Sequence, residues 1–496
     1  MNKNNKKSFY LIGIKGVGMT MLAQFLAQKG CQVSGSDVPE TFVTDKVLKK
    51  EKIKVISGFA ISNIPSQVDL IIHSSAFTAE NNIEMAELRK RKIKIISYAE
   101  AIGSIFNDYY GVAVIGSHGK TTTTAWLGYV LKESGLKPNV LVGSRVPQFN
   151  GSSIIGNSKY FIAEADEYQN KLQYFNPQGV LLNNIDYDHP DFFKTRKSYE
   201  QVFIDFVKKI PRSGFLVVNY DNESARRVAS FCRGKVIYYS LINDLGLLNK
   251  IEITKNSKST NKQNYNLKNL PLEIYHGYYQ KTTDACQVFT VFHQGKKIDD
   301  FKISLPGKHN ISNALAVIAS ARNLGVKDCL IKKNLPLFKG TEQRLQELGQ
   351  YKKAVLINDY AHHPTEIKAS LEALRSKYKN KYQVGGRLIT IFHPHTFSRT
   401  KALLNDFVKS FEQSDLVIIL DIYGSAREKK GTIHSLDLVK LIEEHNKRSK
   451  IQQEVHYLST LDEVTKALKI IIKSNDVVVL MGAGDVFRIA NKLLKK

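Results

Sequence analysis

A chain of 496 residues is too long for one core, and its length alone points to about three domains. Hydrophobic residues at 43% and aromatics at 10% exclude a disordered chain, and no run reaches the roughly 18 apolar residues of a membrane helix. The net charge of +26 would admit a nucleic-acid partner, but the lysines are spread along the whole chain without a basic helix or aromatic–basic interleaving, so none is expected.

The start, "MNKNNKKSFYLIGIKGVGM", reads as a polar tail leading into a first strand, not as a signal peptide. "FYLIGIKGVGMTMLAQFLAQKGCQVSGSD" then gives strand, Gly-rich turn, helix and strand, with Leu22, Phe25 and Leu26 at helical spacing. "VDLIIHSSA" is a further strand that ends in Ser74 and Ser75. This β-α-β order predicts a parallel sheet, ending near Tyr110. A fresh β-α start follows at "GVAVIGSHGKTTTTAWLGYVLKESG". The strands "YFIAEAD", "GVLLNNID" and "GFLVVNYD" end in acids or amides: Glu164, Asp166, Asn184, Asp186 and Asp221. Ligands bind at the carboxyl ends of parallel strands, so that clustering marks a site.

Residues 249–270 are polar, rich in Lys and Asn, and read as a surface loop or irregular hairpin. "GKHNISNALAVIASARNLG" is a helix, with Asn310 as its cap, Ala314, Val317, Ile318 and Ala321 on one face, and Gly325 as its stop. "FKGTEQRLQELGQ" reads as a loop, with a boundary near Gly340. The last unit alternates strand "AVLINDYA", a helix from "HPTEI", strand "RLITIFHP", a helix from Ser398, strand "LVIILDIY", a polar loop, a helix from Ser435, strand "DVVVLMGAG" and a closing helix. The domains are therefore set at 1–110, 111–340 and 341–496. Cys31, Cys232, Cys286 and Cys329 are scattered without a C-x-x-C pair, which fits a reducing cytosol and so a cytoplasmic location.

"GSHGKT", Gly116 to Thr121, lies between a strand and a helix, the context of a phosphate-binding loop. The general pattern G-x-x-x-x-G-K-[ST] needs another Gly where Val114 stands, so on residues alone a nucleotide loop and a simple glycine turn stay open. If it is a nucleotide loop, Lys120 neutralises β/γ-phosphate charge and Thr121 ligates Mg²⁺, with Glu164 as a second oxygen ligand. His189 by itself reads as a structural histidine, because imidazole is an uncommon Mg²⁺ ligand. Gly13, Gly16 and Gly18 form G-x-x-G-x-G, a weak dinucleotide signal, and Asp37 stands near the distance of a ribose-binding acid. His362, His363, His393 and His395 lack the spacing of a zinc site. Arg399 suits a bidentate carboxylate or phosphate partner.

Taken in order, "GSHGKTTTT", "EADE", "NNIDYDH", "GKHNISNALA", "NDYAHHPTEI", "FHPHTFSRT" and "GAGDV" resemble the Mur ligase family, ATP-dependent amino-acid ligases of peptidoglycan synthesis, from Gly13 to Asp485. The family's own loop is G-[TS]-x-G-K-[TS], which "GSHGKT" fits. The resemblance implies an α/β fold of three domains: Rossmann-like at the N-terminus, a central P-loop-type ATPase domain, and Rossmann-like at the C-terminus. It implies ATP and Mg²⁺ as cofactors, and UDP-N-acetylmuramate and L-alanine as substrates. A chain of this kind would work as a monomer or weak dimer, away from membranes and nucleic acids. An L-Ala-γ-D-Glu-diaminopimelate tripeptide is the alternative acceptor, toward which Lys15 and "EADEY" lean. Outside the family, an NAD-dependent oxidoreductase or a basic nucleic-acid-binding protein are the remote alternatives.

Residue by residue, the resemblance puts Gly116, Ser117, His118, Gly119, Lys120, Thr121 and Thr122 on ATP, with His309, Asn310 and Asn313 beside the adenine. Arg344 and Asp359 would reach the phosphates and ribose. Thr121, Glu164 and His189 would hold metal. Gly13, Gly16, Gly18, Met19, Asp37, Ser74 and Ser75 would lie along the UDP-sugar. Tyr360, His363, His395 and Arg399 would form the amino-acid end, with Lys120, His363, His395 and Arg399 as the catalytic set. His363 or His395 would accept the proton of the attacking amine.

Overall fold

The computed structural model describes residues 7–42, 44–244, 273–283, 286–424, 428 and 431–494, so the segment 249–270 lies outside the described residues. The chain divides into two compact units. One comprises Met1–Asn184, Gln201–Ile237 and Ala316–Asn334; the other comprises Ile185–Glu200, Tyr238–Leu315 and Leu335–Lys496. No helix among the described residues is long and apolar enough to cross a membrane.

The first unit opens with β1 (Ser8–Ile12), β2 (Gln32–Asp37), β3 (Lys54–Ser57), β4 (Leu70–His73) and β5 (Ile95–Ser97), a parallel sheet in the order β3-β2-β1-β4-β5. Tyr10, Ile12 and Ile71 pack with Met85 and Leu88 on one side of it. A second sheet follows, built from β6 (Tyr110–Ile115), β7 (Asn139–Val146), β8 (Gly151–Ile154), β9 (Tyr160–Glu164), β10 (Gly179–Leu182) and β11 (Phe215–Asn219). Its order is β11-β10-β6-β9-β7-β8, parallel except for β8. Val112 to Ile115 are fully buried, as a strand covered on both faces must be. Val114 is therefore a core residue of β6.

The second unit carries β12 (Lys235–Ile242) from Tyr238 onward, parallel to β13 (Ile274–Thr282), then β14 (Gln287–His293) and β15 (Lys296–Ile303) as antiparallel hairpins. Its other sheet, β16 (Gln346–Tyr351), β17 (Ala354–Asp359), β18 (Leu388–Phe392), β19 (Leu416–Ile419), β20 (Glu454–Tyr457) and β21 (Val477–Met481), runs β16-β17-β21-β18-β19-β20. Only β16 is antiparallel there. Apolar clusters cover both faces: Ile367, Leu371 and Leu374 belong to one, Val464, Leu468 and Ile489 to the other.

The α/β class and the mostly parallel sheets agree with the sequence reading. Several local expectations do not. "QRLQELGQ" was expected to be a loop, yet Gln346–Tyr351 is strand β16, a half-exposed polar edge bulged between Glu347 and Gly349. An edge strand needs little apolar alternation, so periodicity misses it. β20 and the helix Leu461–Ile471 lie between the helix from Ser435 and the strand "DVVVLMGAG", where the sequence reading named no element. The helix expected from Ser398 begins at Phe397 and is short. Asn310 is not a helix cap. The helix starts at Lys308, after Gly307 at φ +93°, and the Asn310 side chain donates from inside the first turn to the Pro306 carbonyl at 2.7 Å.

Candidate functional site

The loop between β6 and the helix Lys120–Glu133 is shaped by its glycines and by the end of β10. Gly116 holds φ +129°, and a Cβ there would meet the Asn184 carbonyl at 2.8 Å; Gly119 holds φ +78° at the helix start. Ser117 N–H donates to the Asn184 carbonyl at 3.1 Å, and His118 N–H to Asn184 Oδ1 at 2.8 Å. Asn183 Nδ2 donates to Thr123 Oγ1 at 3.0 Å. The first intrahelical bond runs from Thr123 N–H to Gly119, so the amides before it point out of the helix start, where an anion is favoured.

Lys120 Nζ folds back over this loop. It donates to the Gly116 carbonyl at 2.5 Å and to Glu167 Oε2 at 2.9 Å. Burial opposes its charge, but Glu167, Asp166 and Glu164 outweigh that effect and hold the ammonium above its ordinary range. Thr121 Oγ1 donates to Glu164 Oε1 at 2.8 Å, while Gly143 N–H donates to Glu164 Oε2 at 2.7 Å. A hydroxyl and a carboxylate oxygen meeting at a helix start are the hard donor type that Mg²⁺ takes, so this pair fits the ion. His189, the third expected metal residue, belongs to the second unit, at φ +56°, with its N–H on Asp188 Oδ1 at 2.7 Å.

The N-terminal loop of the first unit closes on Asp37. Its Oδ2 accepts Lys15 N–H at 2.6 Å and its Oδ1 accepts Val38 N–H at 2.8 Å. The buried carboxylate thus orders the turn of Gly13 (φ +80°), Gly16 and Gly18. Gly18 is pressed to the Tyr98 ring, where a Cβ would stand 2.8 Å away. Met19 is buried in the helix Val17–Gln28, and Ser74 Oγ accepts the Ala76 N–H. Ser75 follows Ser74 beyond the end of β4.

The second unit gathers a compact polar cluster from segments far apart in the chain. Asp188, His309, Arg344, Asp359, Tyr360, His362, Glu366, His395 and Arg399 are linked by contacts or by electrostatic influence. Burial lowers His309 to about 4, with Glu366 and Arg344 acting in opposite senses. Burial raises Asp359 to about 6. Arg344 stacks over the Tyr360 ring at 5.1 Å, and Asn313 Nδ2 donates to Asn310 Oδ1 at 3.2 Å.

Hydrogen bonds assign the imidazole protons here. His363 Nδ1 accepts Thr365 N–H at 3.3 Å, capping the helix Pro364–Lys377, and its Nε2 lies 3.4 Å from the Tyr187 carbonyl, to which it can only donate. His395 Nδ1 lies 3.0 Å from Arg399 Nη1; a guanidinium only donates, so this nitrogen accepts. Both expected proton acceptors therefore have their lone pair engaged. His362 is the opposite case: Nδ1 lies 2.9 Å from the Tyr360 carbonyl and must donate, which leaves the lone pair on Nε2 without a partner among the described residues. Burial, then Arg399, lowers His362 to about 3 and keeps it neutral. Sequence reasoning passed over His362, Glu167 and Asp188. Glu167 lay in view within "EADE", but its pairing with Lys120 is a tertiary fact.

Parallel α/β sheets that carry a phosphate-type loop, a buried Lys–Glu pair and a hydroxyl–carboxylate pair define a nucleotide-phosphate-binding enzyme, and the family matched along the chain makes it an ATP-dependent amide-bond-forming ligase. The chain belongs to the Mur ligase family: residues 8–110 match its catalytic domain description, 114–321 the Mur ligase middle domain, and 343–484 the Mur ligase glutamate ligase domain. It is 36% identical over 496 residues to the UDP-N-acetylmuramate–L-alanine ligase of Alkaliphilus metalliredigens, covering all of this chain and 98% of that one. It is 34% identical to the enzyme of the same name from Desulfitobacterium hafniense, covering 98% of this chain and 99% of that one. Its fold is similar to that of the UDP-N-acetylmuramate-alanine ligase of Thermotoga maritima, with a TM-score of 0.75, 22% identity and 98% of each chain covered.

Proposed function

We propose that this chain joins L-alanine to UDP-N-acetylmuramate with ATP, through an acyl phosphate. One observation carries the reading: relatives matched end to end are named for this reaction, and the chain keeps at Lys120, Thr121 and Glu164 the groups its first step needs.

In that step an oxygen of the muramyl carboxylate attacks the γ-phosphorus, the bond to the β-phosphate oxygen breaks, and ADP leaves. A carboxylate is a poor acyl donor until its oxygen becomes part of a good leaving group. Phosphoryl transfer asks for positioning and charge neutralisation rather than covalent help. Lys120 supplies a permanent cation, and the open amides at the helix start supply N–H donors. Thr121 and Glu164, with His189 by family likeness, would hold Mg²⁺, which when bound neutralises phosphate charge.

In the second step the amine nitrogen attacks the carbonyl carbon, the carbon–oxygen bond to phosphate breaks, and phosphate leaves. The nitrogen must give up a proton, and among the described residues the cluster offers open acceptors at His362 Nε2 and at Asp359 Oδ2, of which the carboxylate, raised to about 6, is the stronger base. His309, Asn310, Asn313, Arg344 and Asp359 serve ATP in this reading, and the glycine loop with Asp37, Ser74 and Ser75 serves the UDP-sugar. The domains are taken as 1–110, 111–340 and 341–496, and the enzyme as cytoplasmic, a monomer or weak dimer.

The test is phosphate release from ATP in the presence of UDP-N-acetylmuramate and Mg²⁺, with L-alanine compared against the L-Ala-γ-D-Glu-diaminopimelate tripeptide. Release with L-alanine is expected. Turnover with the tripeptide alone would replace the acceptor.

A further inference from the structure

Arg399 has five N–H bonds to give and no acceptor. Its side chain is buried, and so is that of Asp188. Nε donates to Asp188 Oδ1 at 2.8 Å and Nη2 to Asp188 Oδ2 at 3.3 Å. Nη1 donates to His395 Nδ1 at 3.0 Å and to the His395 carbonyl at 3.3 Å. Among the described residues one Nη2 hydrogen remains without an acceptor. While these bonds stand, the guanidinium has no two-hydrogen fork to offer a substrate carboxylate, contrary to the simplest reading of an exposed-arginine clamp.

The consequence passes to His395. Its Nδ1 lone pair faces a group that is always charged and always a donor, so the ring proton sits on Nε2. The ring also lies nearly parallel to Tyr423, centroids 5.9 Å apart, which holds its plane. Burial, then Arg399, lowers the ring to about 4, so it stays neutral near pH 7.

We propose that Asp188 is a positioning residue for amino-acid recognition. By gripping one edge of Arg399 it fixes His395 as an Nε2–H donor, and that N–H, on the side of the ring away from Arg399, takes the carboxylate of the incoming amino acid. The proposal rests on the amino-acid ligase reading above. It gives the carboxylate a neutral donor and leaves the Arg399 charge on Asp188. It also removes His395 from the list of proton acceptors.

The experiment has two readouts. The first needs no substrate: ¹⁵N spectra of histidine-labelled protein, with His395 identified by the signal lost in His395→Gln. The wild type is expected to show His395 protonated on Nε2 alone. Asp188→Asn keeps the size and an oxygen for the His189 N–H but presents an amide NH₂ to a guanidinium, so His395 is expected to move toward mixed tautomers. The second readout is kinetic. Asp188→Asn should raise KM for the amino acid about tenfold or more while KM for ATP stays within about twofold, and Asp188→Glu should recover part of the loss. An Nδ1–H tautomer in the wild type overturns the proposal, as does a variant in which both KM values rise together or neither moves. If Asp188→Asn does not fold, because a buried cation is left without its partner, the wild-type tautomer and Asp188→Glu decide. A wild type inactive with every amino acid defeats the functional reading, and the tautomer measurement still judges Asp188.

Discussion

Lys120 Nζ and Glu167 Oε2 stand 2.9 Å apart at the head of the helix Lys120–Glu133, with the Glu167 side chain almost wholly buried. Glu167 is thus the buried counter-charge of Lys120 in the phosphate loop. Two changes separate charge from packing. Lys120→Ala should lower ATP-dependent phosphate release by about 10³-fold or more, and should also destabilise the fold by about 3 kcal/mol, because the buried Glu167 loses the ammonium it faces. Glu167→Gln keeps an oxygen near Nζ and should cost far less stability. Steady-state phosphate release and urea titration check both; a Lys120→Ala protein with full activity would rule out the loop assignment.

Gly116 has no room for a side chain. At φ +129°, with the Asn184 carbonyl 2.8 Å from where a Cβ would lie, Gly116→Ala must push the loop off the end of β10. The expected result is a loss of roughly 1–3 kcal/mol in stability, together with nucleotide affinity too weak to measure by calorimetry. Retained ATP binding would show that the observed loop conformation is not the one that receives phosphate.

Thr121→Val preserves shape and removes the hydroxyl that reaches Glu164. If Thr121 and Glu164 share the metal, the Mg²⁺ concentration for half-maximal activity should rise roughly 10- to 100-fold. Excess Mg²⁺ should restore part of the rate. An unchanged Mg²⁺ curve would remove Thr121 from the metal set.

Acid should weaken the fold well before the ordinary carboxylates titrate. His276 is buried in β13, its Nδ1 has no hydrogen-bond partner among the described residues, and burial lowers it from 6.5 to about 4. His309 and His395 are lowered to about 4 as well, burial being the first cause of each. A depressed imidazole favours the folded state fully above pH 6.5, and that contribution is lost as pH falls from 6.5 through about 4. Asp359 runs the other way. Raised from 3.8 to about 6, it contributes fully below 3.8 and loses that contribution as pH rises through 6. The imidazoles outnumber it, so Tm should fall between pH 7 and pH 4.5. His276→Leu should make that fall shallower, which scanning calorimetry can read.

Much of the architecture was legible. The parallel strands announced themselves as apolar runs ending in acids, since a strand buried on both faces has to be apolar throughout. Edge elements such as β16 were not, because half their surface meets water and any polar residue will serve there. In the same way "GSHGKT" marked Lys120 and Thr121 by context alone. The partners that give those residues their state, Glu167 for the ammonium and Glu164 for the hydroxyl, come from the end of a strand more than forty residues on.

The histidines draw the line most sharply. The order of motifs along the chain was enough to place it in a family and to mark His363, His395 and Arg399 as chemically interesting. Which nitrogen of each ring carries a proton depends on what lies within about 3 Å of it. His363 spends its lone pair on a helix amide, His395 spends its own on Arg399, and His362 keeps one free because a backbone carbonyl takes its N–H. Residue types and spacing fix an inventory of donors and acceptors. Only the tertiary structure assigns them, because a hydrogen bond is decided by distance and direction rather than by position in the chain.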